Sequence, residues 1–530
     1  MPQSAQPDRA ASIFGNAVKP RDHAKALKNK QKYMRRFGDD TQEPYPLRAE
    51  AAPVIGDALG VRRLVAAEVA EAGDAVDKDR RDGGPSDILA SAPHPERSSD
   101  DAFDLNADAA AHGTGQPVVI GTIRMGFGHY RIAMAMASAA HALGYTPYWF
   151  DLMGFKDTTA SKIIASQNDL YSMGSRLSQK SKLFNAIVWE PMNYEGFRKL
   201  SYNASDQKAA ELMVRPFQDL PSGVPYVGTH VWPSQGAVHA GLTHVVNAIP
   251  DNWPMGLHLA EGSIHAVQTP FAYLGYKKLN GMAKTALKPM PDGDLFDVGH
   301  YIDHELVENV EHDCTKRLDR LSSGKPVRFL MTVGGAGAGG DLYLAMTKHL
   351  LPYIKEGKAE LWINFGDHLT MWDVFKKEMP ELEQEVKTYF DDYRGLCAWA
   401  DTLDGDSPAG ITAFCHKDIF EAVYSTNLLM RKCDVLVTKP SELAFYPVPK
   451  LMMRHIGGHE VYGAIHAQEL GDSTFECETA PALADMIDTL IGDPAILKHM
   501  CRRIMALKQQ GVYNGGYEVV NLAVNGKNKE

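Results

Sequence analysis

No stretch of this chain approaches the roughly 18 to 20 consecutive apolar residues that a membrane-spanning helix needs, although it runs to 530 residues. An excess of positive charge is missing too. Lys and Arg total 55 against 66 Asp and Glu, a net charge of −11, which argues against general nucleic-acid binding. Cysteine is scarce: the six (314, 397, 415, 433, 477 and 501) lack CxxC spacing and sit far apart, as expected of reduced cytosolic thiols. The opening MPQSAQPDRAASIFGNAV has no apolar core of signal-peptide type, and neither GxSxG nor GxxxxGK[ST] occurs. What remains is a cytoplasmic protein of two or three domains.

Glycine, by contrast, is concentrated where it matters. In RFLMTVGGAGAGGD (328–341) an apolar run reads as a buried strand, and a loop of only glycine and alanine comes after it. Asp341 can cap the next helix, DLYLAMTKHLL. Missing Cβ atoms let backbone N–H groups reach an anion, and the helix N-terminus adds partial positive charge. Gly334, Gly335 and Gly337 are therefore candidate phosphate contacts, although the same glycines also suit a tight turn. Gly335, Gly337 and Gly340 formally satisfy GxGxxG, so a dinucleotide enzyme is a rival reading. It wants an acidic residue closing the next strand, whereas AELWINFG offers Asn364, and Asp367 arrives late.

Taken in order, residues 1–115 read as a largely disordered leader with one helical stretch near Val61 to Val69. Within it, Lys19 to Arg36 is crowded with base and suits either an anionic lipid surface or plain solvation. From Pro117 onward strands and helices alternate, arguing parallel sheets wrapped by helices. The expected units are a Rossmann-like domain over 116–304, with a helical insert at 156–215, and a second over 305–480. Helices occupy 481–530. Aromatics in the insert (Tyr171, Phe184, Trp189, Tyr194, Phe197) suit either a core or the floor of an apolar cleft. Ligands of doubly wound folds sit at the carboxyl ends of the strands, so two facing halves place a site between them.

Three further places carry chemistry. GFGH (126–129) comes after a strand, with Gly126 and Gly128 shaping the loop; His129, at a helix N-terminus that disfavours imidazolium, is a candidate base or a structural histidine. Past the strand CDVLVTK, Glu442 can accept a ribose diol and Lys439 can meet phosphate, or each can simply satisfy a neighbour or helix end, with Ser441 as cap. His459 and Glu460 succeed paired glycines. Those glycines break the helix that zinc ligation by His455 and His459 requires, so no metal is expected.

Together these motifs resemble the nucleotide-sugar glycosyltransferases of GT-B fold, in the branch holding monogalactosyldiacylglycerol synthase, processive diacylglycerol glucosyltransferases and the lipid II N-acetylglucosaminyltransferase. The resemblance runs from about Val118 to Gly471. It implies that GFGH is the glycine loop whose histidine is the base, and that VGGAGAGG (333–340) is the donor-phosphate loop. AFCHKDIFEAVYSTNLLMRKCDVLVTK (413–439), with Phe414, would hold the nucleotide base, and Glu442 in SELAFYPVP the ribose. The chain departs from the family in its short Lys439–Ser441 link and in having His459, Glu460 and Gly463 where Gln and Asn are usual. The insert stands in the acceptor region. The activity implied by the resemblance is an inverting, metal-independent transfer from a UDP-sugar co-substrate, without a cofactor, to a lipid or other hydroxyl acceptor at the inner membrane face. Asp251, closing NAIPD, would orient the base or the acceptor. An epimerase, an NAD enzyme and a non-catalytic sugar-nucleotide sensor remain open at this point.

Overall fold

The computed structural model describes residues 8–67, 103–112, 115–333, 340–380, 382–404 and 410–526. Two sheets organise it. The first has eight strands, ordered Leu295–Asp297, Ile264–Val267, Val245–Ala248, Tyr226–Gly228, Pro117–Thr122, Thr146–Asp151, Arg62–Ala66 and Leu47–Ala51. Every neighbouring pair is parallel except the last, where Leu47 to Ala51 runs antiparallel. The second has six parallel strands, ordered Val386–Phe390, Ile411–Cys415, Ala359–Asn364, Val327–Thr332, Val435–Thr438 and Lys450–Met452. Their central strands, such as VRFLMT, are buried along their whole length, as strands covered by helices on both faces must be. This is the architecture the sequence led one to expect: two facing doubly wound, Rossmann-like halves.

The leader is where expectation fails. Residues 8–67 and 103–112 are built into the first domain rather than disordered. Residues 1–7 and 68–102 lie outside the described residues. The stretch read as a helix near Val61 is instead the strand Arg62–Ala66, which adds to the sheet beside Thr146–Asp151. Its partner LRAEA buries little beyond Leu47, which is why composition hid it. The basic segment is a helix, Pro20–Phe37, lying along helix Leu200–Ala210. It is anchored by buried Ala26 and by the Lys30–Glu211 ion pair at 2.7 Å. Proline at its first position fits a site where the missing N–H has no partner to lose.

The C-terminal helices differ in destination. Ala480–Gly492 packs on Gly340–Lys355, and Pro494–Gln509 on Val310–Ser322, all in the second domain. The last, Gly515–Asn525, crosses back and buries Val519, Val520 and Leu522 against helix Gly128–Ala142 of the first domain. The close approach demands glycine. A Cβ on Gly515 would meet the His300 carbonyl oxygen at 2.6 Å. The chain thus ties its two halves together from its far end.

Candidate active site

One cavity of about 530 Å³ opens between the two domains. It lies where strand ends of both sheets meet, and the helix N-termini beyond them supply its walls. From the first domain come the Gly126–His129 loop, His230, Asp251, Asn252 and His258; from the second, Thr438 to Leu443, His459 and Glu460. Asn168, Tyr171, Trp189, Asn193 and Phe197 of the insert complete it.

His129 stands at the start of helix Gly128–Ala142. Its Nδ1 lies 2.8 Å from the Thr229 carbonyl oxygen. A carbonyl can only accept, so Nδ1 carries the proton and Nε2 is left as the basic atom. Burial lowers the ring's pKa below the ordinary histidine value, against the opposing pull of the Thr229 carbonyl, Asp251 and Glu442. The imidazole is therefore neutral near pH 7. His230 packs edge-on at 4.7 Å, itself held well below the usual range by burial.

Asp251 faces this pair. Burial would raise its pKa, but the hydrogen bond and charge of His258, together with His459 and His129, hold it far below the carboxylate range. The Asp251–His258 contact spans 3.2 Å, and His258 Nδ1 meets the Tyr276 hydroxyl at 2.7 Å. The cavity thus holds a neutral base and a fixed anion on one wall.

Across from them, Lys439 donates to Glu460 at 3.0 Å. Burial would lower the lysine's pKa; Glu460 and Glu442 outweigh it, and the net shift is upward. Glu460 also accepts from the Ile456 amide at 2.7 Å. Glu442 approaches the first domain so closely that a Cβ on Gly128 would sit 2.8 Å from its Oε2. Its carboxylate faces a helix N-terminus, where negative charge is favoured. Gly126, at φ +74°, takes a left-handed turn that glycine adopts without strain. Ser441 precedes the short helix Glu442–Phe445 but makes no side-chain cap, which leaves its hydroxyl to the cavity.

Of the residues singled out in the sequence, His129, Asp251, Gly126, Gly128, Lys439, Ser441, Glu442, His459 and Glu460 all line this one cavity. Phe414 does not, and its reading as a nucleotide contact is corrected. It is fully buried in the core of the second domain, in register with Asn364 and Tyr389. Gly334, Gly335 and Gly337 lie outside the described residues. Tyr171, Trp189 and Phe197 reach the cavity, whereas Tyr194 stacks on Trp253 at 4.9 Å. Sequence reasoning missed His230, Asn252 and His258. The first two lie within a few residues of a strand end, the signal that identified Asp251. His258 sits in a short turn, Gly256–His258, and carried no signal.

Two family models, each described as a domain of unknown function, match the chain: DUF6937 over residues 12–278 and DUF6938 over residues 290–524. No curated protein matches it in sequence. Among solved structures it is similar to the UDP-GlcNAc 2-epimerase from Neisseria meningitidis bound to UDP-GlcNAc, at 10% identity and TM-score 0.35, covering 77% of this chain and 100% of that one. It is similar also to the alpha,alpha-trehalose 6-phosphate synthase from Burkholderia multivorans, at 11% identity and TM-score 0.42, covering 77% and 98%. A third is the spinosyn rhamnosyltransferase SpnG complexed with spinosyn aglycone, at 12% and 0.34, covering 78% and 100%. Likenesses this remote add nothing to an argument about chemistry, which has to come from the cavity.

Proposed function

From the premise that the chain belongs to the family described as domain of unknown function DUF6937, a description that names no reaction, we propose that it is an inverting glycosyltransferase. The donor is a UDP-sugar, and the acceptor is a lipid or other hydrophobic molecule bearing a hydroxyl. One observation carries the reading: a histidine fixed in the neutral form with Nε2 as its basic atom shares an interdomain cavity with Lys439, Ser441 and Glu442.

In this mechanism the acceptor hydroxyl gives its proton to His129 Nε2 as its oxygen attacks the anomeric carbon. The bond from that carbon to the diphosphate breaks, and its electron pair leaves with UDP. Asp251 stabilises the imidazolium as it forms, as a nearby anion does. Glu442 takes the ribose hydroxyls, and the glycine run at 334–339 with the adjoining helix N-terminus receives the diphosphate. No step is routed through a metal or a cofactor. Tyr171 and Trp189 offer apolar surface to the acceptor, and an anionic membrane face is the setting that fits such a molecule.

The test is His129→Ala with donor and a panel of hydroxyl acceptors. Transfer should fall by about 10² to 10⁴-fold, the usual contribution of a general base, while calorimetry still registers UDP. Undiminished transfer removes His129 from the mechanism. Binding of NAD in place of UDP, or release of an isomerised sugar nucleotide without acceptor, would replace the transferase reading altogether.

A further inference from the structure

The insert does more than wall the cavity. Helix Thr159–Lys180 leads into a return segment whose Trp189 ring lies against Tyr171 at 5.1 Å and fills the space where Gly174 has no side chain. The two arms make a hairpin with two faces. Asn168 and Tyr171 turn inward and line the cavity. Leu170, Met173 and Leu177, spaced three and four apart on the opposite face of the same helix, are exposed, and so are Leu183, Ile187 and Val188 on the return. Leu183 is 70% and Ile187 65% exposed. Six large aliphatic side chains within 19 residues of chain is far more than the scattered single ones of an ordinary surface.

Charge lies next to it. Helix Pro20–Phe37 packs on the hairpin's first arm, where the Gln167 amide donates to the Tyr33 hydroxyl and the Thr159 hydroxyl to the Phe37 carbonyl at 3.4 Å. Arg21, Lys25, Lys28, Lys32 and Arg35 of this helix are exposed. At 3.6 residues per turn they fall within an arc of roughly 100°, opposite buried Ala26 and the Lys30–Glu211 pair. No acidic residue interrupts the arc, in a chain whose net charge is −11. A localised basic stripe beside projecting aliphatic side chains complements an anionic bilayer: bases meet headgroups and alkyl groups enter the acyl boundary.

We infer that the 159–196 hairpin and the basic face of helix Pro20–Phe37 together form a docking surface for an anionic membrane. The hairpin then separates the lipid phase from the cavity. What this gives the enzyme, access to a lipid-borne acceptor, rests on the transferase reading; the surface itself stands on exposure and charge.

The full chain is sedimented with vesicles of phosphatidylcholine alone and of phosphatidylcholine with an equal part of phosphatidylglycerol. Recovery should be high with the anionic vesicles, about tenfold lower with the neutral ones, and reduced by salt. The double variants Leu183→Ser/Ile187→Ser and Lys25→Glu/Lys28→Glu should each weaken binding about tenfold, with melting temperatures unchanged. Equal recovery with and without anionic lipid, or a wild-type protein left in the supernatant, overturns the proposal. So does a concentration-dependent dimer that the serine variant dissolves, since a second copy would then cover the hairpin. Calorimetry with UDP on the same proteins separates the two readings: absent UDP binding with intact sedimentation counts against the transferase alone.

Discussion

At the scale of single residues, the proposed mechanism turns on the protonation of His129. The Thr229 carbonyl selects the tautomer, and burial selects the neutral form. Because the base must be unprotonated to act, activity should persist below pH 6.5, the reference histidine value. The acid limb of kcat/KM should therefore fall with a midpoint under that of free histidine. Asp251 raises the ring's pKa, so Asp251→Asn should shift the limb to still lower pH while kcat declines. A limb that stays in place on this substitution would mean another group titrates. The glycine loop and its histidine were legible in the sequence because a strand end, two glycines and a helix start fall within a dozen residues. Lys439 shows what was not. Sequence left open a pairing with Glu442 or a contact to phosphate, and the ion pair is instead with Glu460, 21 positions away.

At the scale of elements, patterning found the apolar central strands and the edge strand Lys450–Met452, and overlooked the other edges. Val386–Phe390, Leu295–Asp297 and the two leader strands are short or half-exposed, so no apolar run marks them. Helix Leu200–Ala210 teaches the opposite lesson. It looks polar, yet nearly all of it is buried, including Asp206. Burial, offset only in part by the Trp232 indole, pushes that carboxyl up to about 8. A folded-state pKa above the unfolded one means the contribution is full below the unfolded value of 3.8 and is lost as pH rises through about 8. Asp206→Asn should therefore gain stability over the wild type between pH 5 and pH 8.5, by an amount on the order of 5 kcal/mol at the upper end. Urea unfolding at the two pH values measures it. Equal wild-type and variant differences at both would show that Asp206 titrates normally.

At the scale of the whole molecule, the two halves are held at both lips of the cavity and from behind. Arg124 pairs with Asp367 at one lip, where Phe127 also packs so tightly that a Cβ on Gly366 would lie 2.5 Å from its ring. At the other lip, the Asn252 amide donates to the Tyr462 carbonyl and the Gly458 amide to Glu190, each at 2.9 Å. Behind them, helix Gly515–Asn525 returns to the first domain. Removing residues 515–530 strips cover from that core. At about 1.5 to 3 kcal/mol for each large buried aliphatic side chain, the loss should reach at least about 5 kcal/mol. Scanning calorimetry should record earlier melting of the truncated chain. An unchanged trace would show that the helix merely rests on the surface. Among the described residues no helix is long and apolar enough to cross a membrane.

Local chemistry dictated much on its own. Alternating buried strands and helices impose two doubly wound halves, and glycine before a helix start marks the Gly126–His129 loop that lines the cavity. Those properties act over a few residues, so a linear reading captures them. Which strands became edges, that the leader joins a sheet, that Phe414 turns into the core, and that five histidines and three carboxylates gather round one space were decided by packing. Such contacts join positions hundreds of residues apart, and no short-range pattern encodes them.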